Sequence, residues 1–254
     1  MLALRTLTIT RLAAVSLALS TAAVSAGERH FTYVYEAVTA PKGTVEYEQW
    51  VTWRATRGGG NKVDDFRFRH EIEFGITDRF QLGFYLSDWR VVHSGDRTET
   101  IWNNVALEGI YNLTSPTTDW LGSALYGEVK VGDRLVSVEG KLLLQKNVGS
   151  WIFAYNASLE AEWEGSGLRE HNGEFQQTLG VSYQVSPKFS VGAELLHEVP
   201  YKDWGRAGDH TVYVGPNVSY RFGRGFVTTS VLFQATGIQD EPDVQTRLIF
   251  GIDF

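Results

Sequence analysis

The sequence predicts an all-β protein: a transmembrane antiparallel β-barrel of about twelve strands with both termini in the periplasm. Three observations predict it. Apolar and polar residues alternate with period two through most of residues 43–254, one side of that alternation carries no charge, and the joins between alternating stretches are short and long by turns. Period two places successive side chains on opposite faces of a strand.

The clearest stretch is Val63 to Leu86. Phe66, Phe68, His70, Ile72, Phe74 and Ile76 share one face, and Arg67, Arg69, Glu71, Glu73 and Gly75 share the other. After Thr77-Asp78-Arg79, the residues Phe80, Leu82, Phe84 and Leu86 resume the apolar face, so the pair reads as a hairpin. The same reading gives strands over 43–55, 63–76, 79–89, 101–113, 119–131, 134–146, 150–163, 173–185, 188–199, 210–222, 225–235 and 244–254. An even strand number suits a single-chain bacterial barrel.

Short joins fall at Thr77-Asp78, Thr114 to Thr118, Asn147 to Gly149, Ser186-Pro187 and Gly223-Arg224. Longer polar joins fall at Thr56 to Lys62, Arg90 to Thr100, Glu164 to Asn172, Pro200 to Asp209 and Thr236 to Asp243, with Gly132-Asp133 the short exception among them. Periplasmic turns are short and extracellular loops longer, which puts both termini in the periplasm. The outer faces carry residues such as Val45, Tyr47, Val51, Trp53, Val136, Val138, Leu142, Leu144, Phe153, Leu159, Leu179 and Val218, with no Asp, Glu, Lys or Arg among them. A Lys or Arg facing lipid at the bilayer midplane costs about 2–4 kcal/mol, so lipid requires such a face. Pro216 falls inside a strand of a barrel that has no edge, and a bulge is expected there.

Residues 1–26 read as a secretory signal peptide, with Arg5 and Arg11 before and within an apolar stretch and Val24-Ser25-Ala26 as the cleavage site. Removing them takes the net charge from −7 to −9, which argues against a nucleic-acid partner. The chain has no cysteine, hence no disulfide framework or thiolate metal site. Residues 27–42 alternate briefly at Phe31, Tyr33 and Tyr35 before Pro41-Lys42-Gly43; they form either an extra strand or a periplasmic or lumenal segment, ahead of a barrel over 43–254.

The last strand is the most specific. Leu248, Phe250, Ile252 and the final Phe254 alternate. This resembles the C-terminal assembly signal of Gram-negative outer-membrane β-barrels. With the leader, the resemblance covers the whole chain. It implies the outer membrane, with its lipid and the barrel assembly machinery as partners. The turn Gly75-Ile76-Thr77-Asp78-Arg79-Phe80 is similar to one found in uncharacterised outer-membrane transporters, including the phenol-degradation-pathway type. In size the barrel resembles nucleoside channels, oligogalacturonate porins and the outer-membrane phospholipase.

Function should lie on the inner face. The register turns inward Glu46, Glu48, Arg54, Arg67, Arg69, Glu71, Glu73, Glu108, Glu128, Lys130, Glu139, Lys141, Glu160, Glu162, Glu174, Glu194, Glu198 and Arg221. Acids outnumber bases, as in a narrow passive channel for small polar or cationic solutes. The alternative is a structural barrel whose lumen is plugged by salt bridges, with Glu46 and Glu48 neutralised by Arg67 and Arg69 on the next strand. A third reading, an outer-membrane lipid hydrolase, needs an outward His beside a Ser. The outward His70 and His197 have apolar outward neighbours, and His93-Ser94 are consecutive and lie in a loop. No catalytic residues, cofactor, or calcium or zinc cluster are read from the spacing, and the expectation is a protein that is not an enzyme.

Overall fold

Each stretch read as a strand from its alternation is a strand in the structure, a computed structural model that describes residues 29–58 and 62–254. The expected signal peptide, residues 1–26, lies outside the described residues. The strands are β1 (Val45–Thr56), β2 (Val63–Thr77), β3 (Phe80–Ser94), β4 (Arg97–Thr114), β5 (Gly122–Gly132), β6 (Leu135–Val148), β7 (Trp151–Glu164), β8 (Glu170–Ser186), β9 (Phe189–Lys202), β10 (Arg206–Ala207), β11 (Thr211–Phe222), β12 (Gly225–Gln234) and β13 (Val244–Asp253). The two-residue β10 pairs only with the end of β9. The other twelve form an antiparallel sheet in sequence order, and β13 returns to pair with β1. Closure lets the wall strands satisfy their backbone groups against neighbours, which hydrocarbon demands.

Burial is inverted relative to a water-soluble protein. The outward Leu159, Leu86 and Phe233 are 55%, 53% and 52% exposed, while Glu48 and Glu71 are 0% exposed. A surface that shows leucine and hides glutamate is built for lipid outside and a polar interior.

Glu46 lies opposite Asp253, so the strand ends nearest both chain ends meet at one rim, called here the terminal end. The turns after β2, β4, β6, β8 and β11 lie at this end; the opposite rim is the loop end.

Two expectations are corrected. The join expected over Arg90 to Thr100 is mostly strand: β3 runs to Ser94 and β4 starts at Arg97, with Gly95 in the turn at φ 58°. Both faces of that ribbon are largely polar, so their alternation carries no hydrophobic signal. His93 and Ser94 therefore lie on β3, not in a loop. Pro216 makes no bulge. Its strand stays in continuous register with β9, pairing with Ala193. Toward β12 the ladder skips Gly215 and Pro216 and resumes in the same register at Asn217. The adjacent Gly215 lets the strands close up there, since a Cβ at that position would lie 1.9 Å from the Val231 carbonyl oxygen.

Candidate pore and the segment that fills it

Residues 29–44 do not add a strand to the wall. They turn back from β1 into the terminal half of the barrel and hydrogen-bond to its inner face. The reversal begins where Gly43 N–H donates to the Gly75 carbonyl (2.7 Å) and Gly75 N–H to that of Thr44 (3.0 Å). Gly75 is needed because a Cβ would stand 1.9 Å from the Pro41 oxygen.

The wall supplies the partners this backbone lacks. The Glu194 carboxylate on β9 accepts from the N–H groups of Thr32 (2.9 Å), Tyr33 (2.6 Å) and Val34 (3.3 Å). Asn156 on β7 makes a two-way bond with Tyr35, accepting from its N–H (2.7 Å) and donating to its carbonyl (2.9 Å). Gln145 on β6 accepts from Ala37 N–H, and Asn112 on β4 donates to the Ala37 carbonyl. Asn217 donates to the His30 carbonyl, and Ser219 and Thr228 to that of Arg29. These partners lie on β4, β6, β7, β9, β11 and β12, so the segment crosses the lumen rather than lying along one wall.

Cations and rings fix it further. Arg247 stacks on Tyr33, 3.8 Å from the ring centroid, and Lys141 sits 4.7 Å from the centroid of Tyr35. Tyr35 meets Tyr126 edge-on at 5.2 Å. Such cation–ring contacts strengthen where water is excluded.

The predicted lumen residues fall in two tiers. In the terminal half, Glu46, Glu48, Glu71, Glu73, Glu108 and Glu194 are buried; Arg221 lies further toward the terminal rim, half-buried. In the loop half, Arg54, Arg67, Arg69, Glu128, Lys130, Glu139, Lys141, Glu160, Glu162, Glu174 and Glu198 line an inner cavity of about 300 Å³. Lys130 bridges Glu128 (3.0 Å) and Glu160 (2.8 Å), and Lys141 pairs with Glu139 (3.2 Å). Glu160 also accepts from the Ser137 hydroxyl.

The expected neutralisation of Glu46 and Glu48 by Arg67 and Arg69 does not occur. The β1–β2 register sets Glu46 opposite Glu73 and Glu48 opposite Glu71, while Arg69 faces Trp50 and Arg67 faces Thr52. Arg67 pairs instead with Asp65 (2.9 Å) and Arg69 with Asp88 (3.3 Å). The base that reaches the acids is Arg29 of the inserted segment, at 2.6 Å from Glu48 and 2.8 Å from Glu73.

Acid-against-acid pairing continues around the barrel. Asp253 faces Glu46, Glu46 faces Glu73, and Glu73 faces Gly83, which in turn faces Glu108. Glu108 faces Glu128, Glu128 faces Glu139, Glu139 faces Glu160 and Glu160 faces Glu174. Because the strands are tilted and staggered, this ladder climbs from the terminal rim toward the loop end. Like charges directly opposite repel; Arg29, Lys130 and Lys141 offset part of that repulsion.

Sequence reasoning missed Trp50, Asp65, Tyr85, Asp88, Arg90, Tyr126 and Arg247 on the inner face. Face parity could have found Trp50, Asp65, Tyr85, Tyr126 and Arg247, because each falls on the inward side of its strand's alternation. The bulge between Tyr85 and Asp88 breaks that parity in β3 and hides Asp88 and Arg90.

A closed twelve-strand antiparallel barrel with an apolar wall and a polar, charged interior defines an outer-membrane β-barrel of the channel and porin fold. The COG4313 outer membrane channel from Pseudomonas putida F1 has this fold, with a TM-score of 0.68 at 15% identity, over 88% of this chain and 100% of that one. The NanC porin matches at a TM-score of 0.53 and 10% identity (83% and 98% covered), and the translocator domain of the autotransporter NalP from Neisseria meningitidis at 0.55 and 14% (83% and 88%). At such identities the likeness is one of fold. The chain itself belongs to DUF6662, a family of unknown function, which matches residues 23–247. No curated protein matches it in sequence.

Proposed function

We propose that this chain is a passive outer-membrane channel for small polar or cationic solutes, with both termini periplasmic, and that residues 29–44 hold it closed in the arrangement described. The acid ladder carries this reading. From Glu108 to Glu174 it offers a cation successive carboxylates at the spacing of directly opposed strands, about 5 Å from one to the next, with one gap at Gly83 between Glu73 and Glu108. An excess of acids over bases in a low-dielectric wall favours the opposite sign. A cavity of about 710 Å³ opens at the loop end, and one of about 370 Å³, lined in part by the inserted segment, at the terminal end.

The structural, plugged barrel is the second reading, and the density of hydrogen bonds around residues 29–37 favours it. The hydrolase reading has no such support. Among the described residues, the outward His70 hydrogen-bonds with Tyr47 (2.9 Å) and Trp89, and His197 with Gln177 and His210.

Planar-bilayer recording of the refolded mature chain and of a form starting at Gly43 separates these readings. The shortened form should conduct more than the mature chain, with a reversal potential in a salt gradient of cation-selective sign. The preference should weaken as salt rises, since screening at physiological ionic strength acts over about 8 Å. Anion selectivity would reject the electrostatic argument. A shortened form that folds and stays silent would establish the plugged barrel.

A further inference from the structure

The terminal half of the lumen buries more carboxyl groups than the neighbouring cations pair with. Glu46, Glu48, Glu71, Glu73 and Glu108 converge there, and among the described residues the cation in contact with them, Arg29, pairs with Glu48 and Glu73. Arg69 is drawn to Asp88 and to the ring of Tyr85, 4.1 Å from its centroid. Oxygen atoms of Glu71, Glu73 and Glu108 lie within 4.8 Å of one another.

Glu71 is the informative residue. It is 0% exposed, and among the described residues neither of its carboxylate oxygens has a hydrogen-bond partner. The Oε1 atom of Glu108 is likewise without one, while its Oε2 accepts from the Tyr85 hydroxyl. A buried carboxylate with both oxygens unmatched is held against a steep desolvation penalty. The gap between these two side chains is kept by Gly83: a Cβ there would lie 2.6 Å from both Glu71 Oε1 and Glu108 Cγ.

We propose that Glu71, Glu108 and Glu73 bind a hard divalent cation, of the calcium type, over Gly83. The donor set is all oxygen, which selects calcium or magnesium over softer metals. Calcium takes oxygens at about 2.3–2.6 Å and accepts two from one carboxylate, a role open to Glu71. The smaller magnesium requires about 2.0–2.1 Å and a stricter octahedron. Glu73 keeps its bonds from Arg29 (2.8 Å) and Gln81 (2.6 Å), which orient it. The cavity of about 370 Å³ at the terminal end reaches Glu73 and Glu46 and provides an entry path. This inference does not depend on conduction.

The test is terbium binding to the refolded mature chain in detergent, read by luminescence sensitised by Tyr85 and Trp50. The wild type should bind one terbium per chain, displaced by calcium. Glu71→Gln and Glu108→Gln should each weaken binding by about 10-fold or more, whereas Glu99→Gln, an exposed acid on β4, should not. Heat-modifiable migration reports whether each variant is folded. A wild type with no stoichiometric, calcium-displaceable signal overturns the proposal whatever the variants do: the charge is then balanced by protons. Folded Gln variants that bind as the wild type does would also overturn it.

Discussion

Removing the Glu194 carboxylate should release the inserted segment while leaving the wall intact. Thr32, Tyr33 and Val34 are 2%, 7% and 3% exposed, and all three of their N–H groups depend on this one side chain. In Glu194→Ala each loses its acceptor. An unsatisfied buried donor costs about 1–3 kcal/mol, and water entering the vacated space can rehydrate one or two of the three. The net cost to the docked state is then about 2–4 kcal/mol. At 1.4 kcal/mol per tenfold, that raises the open population about 30- to 700-fold. Hydrogen exchange measured by mass spectrometry on peptides from residues 29–40 reads this change directly, because local opening sets exchange from the docked state. Peptides from β1 and β7 should keep their protection. Unchanged exchange in 29–40 would refute the reasoning, and so would equal loosening of the wall, which would make Glu194 part of the barrel's own stability. Glu194→Gln, which keeps one acceptor oxygen, should fall between the two.

Two further outcomes test the wall itself. Phe68 faces outward and stacks on Trp89 with ring centroids 4.3 Å apart; Phe68→Arg should cost about 2–4 kcal/mol near the midplane in a urea folding titration, Phe68→Leu should be mild, and equal tolerance of both would refute the register. Phe254 N–H donates to the Val45 carbonyl (2.9 Å) across the closing seam; deleting Phe254 should lower the yield of heat-modifiable barrel in the outer membrane, and a normal yield would make the terminal motif incidental.

The wall was legible because lipid imposes a rule that each residue reports alone: Phe68 and Leu159 face out whatever lies beside them. Parity assigns a face, so the inward carboxylates could be read from the sequence. It does not assign the offset between strands. Glu46 and Glu48 could have met Arg67 and Arg69 on parity alone; the β1–β2 hairpin sets them against Glu73 and Glu71 instead. The Arg90 to Thr100 ribbon was hidden for a related reason, since its two faces differ little in polarity. Residues 29–44 were the least legible. Their partners are single polar side chains such as Asn156 and Gln145, which in sequence look like ordinary lumen residues. Nothing local to Phe31, Tyr33 and Tyr35 distinguishes an aromatic destined for lipid from one destined for the interior.

The inserted segment also fixes an order of events in time. Thr32 and Glu194 are 162 residues apart, Arg29 and Ser219 190, and Tyr33 and Gln245 212. Residues 29–34 therefore lack most of their partners until β9 and the strands after it are in place. Neighbouring strands pair across short turns, so the wall can zip from hairpin to hairpin while the segment waits. Contacts of such long sequence separation slow folding far more than they alter final stability, because loop closure grows costlier only with the logarithm of length. The seam between β13 and β1 lies next to the segment's point of return, so closing the cylinder and seating its contents are neighbouring late steps. Arg29 reaches Glu48 and Glu73 only once the segment is seated, so desolvation of the acid cluster is expected with that step.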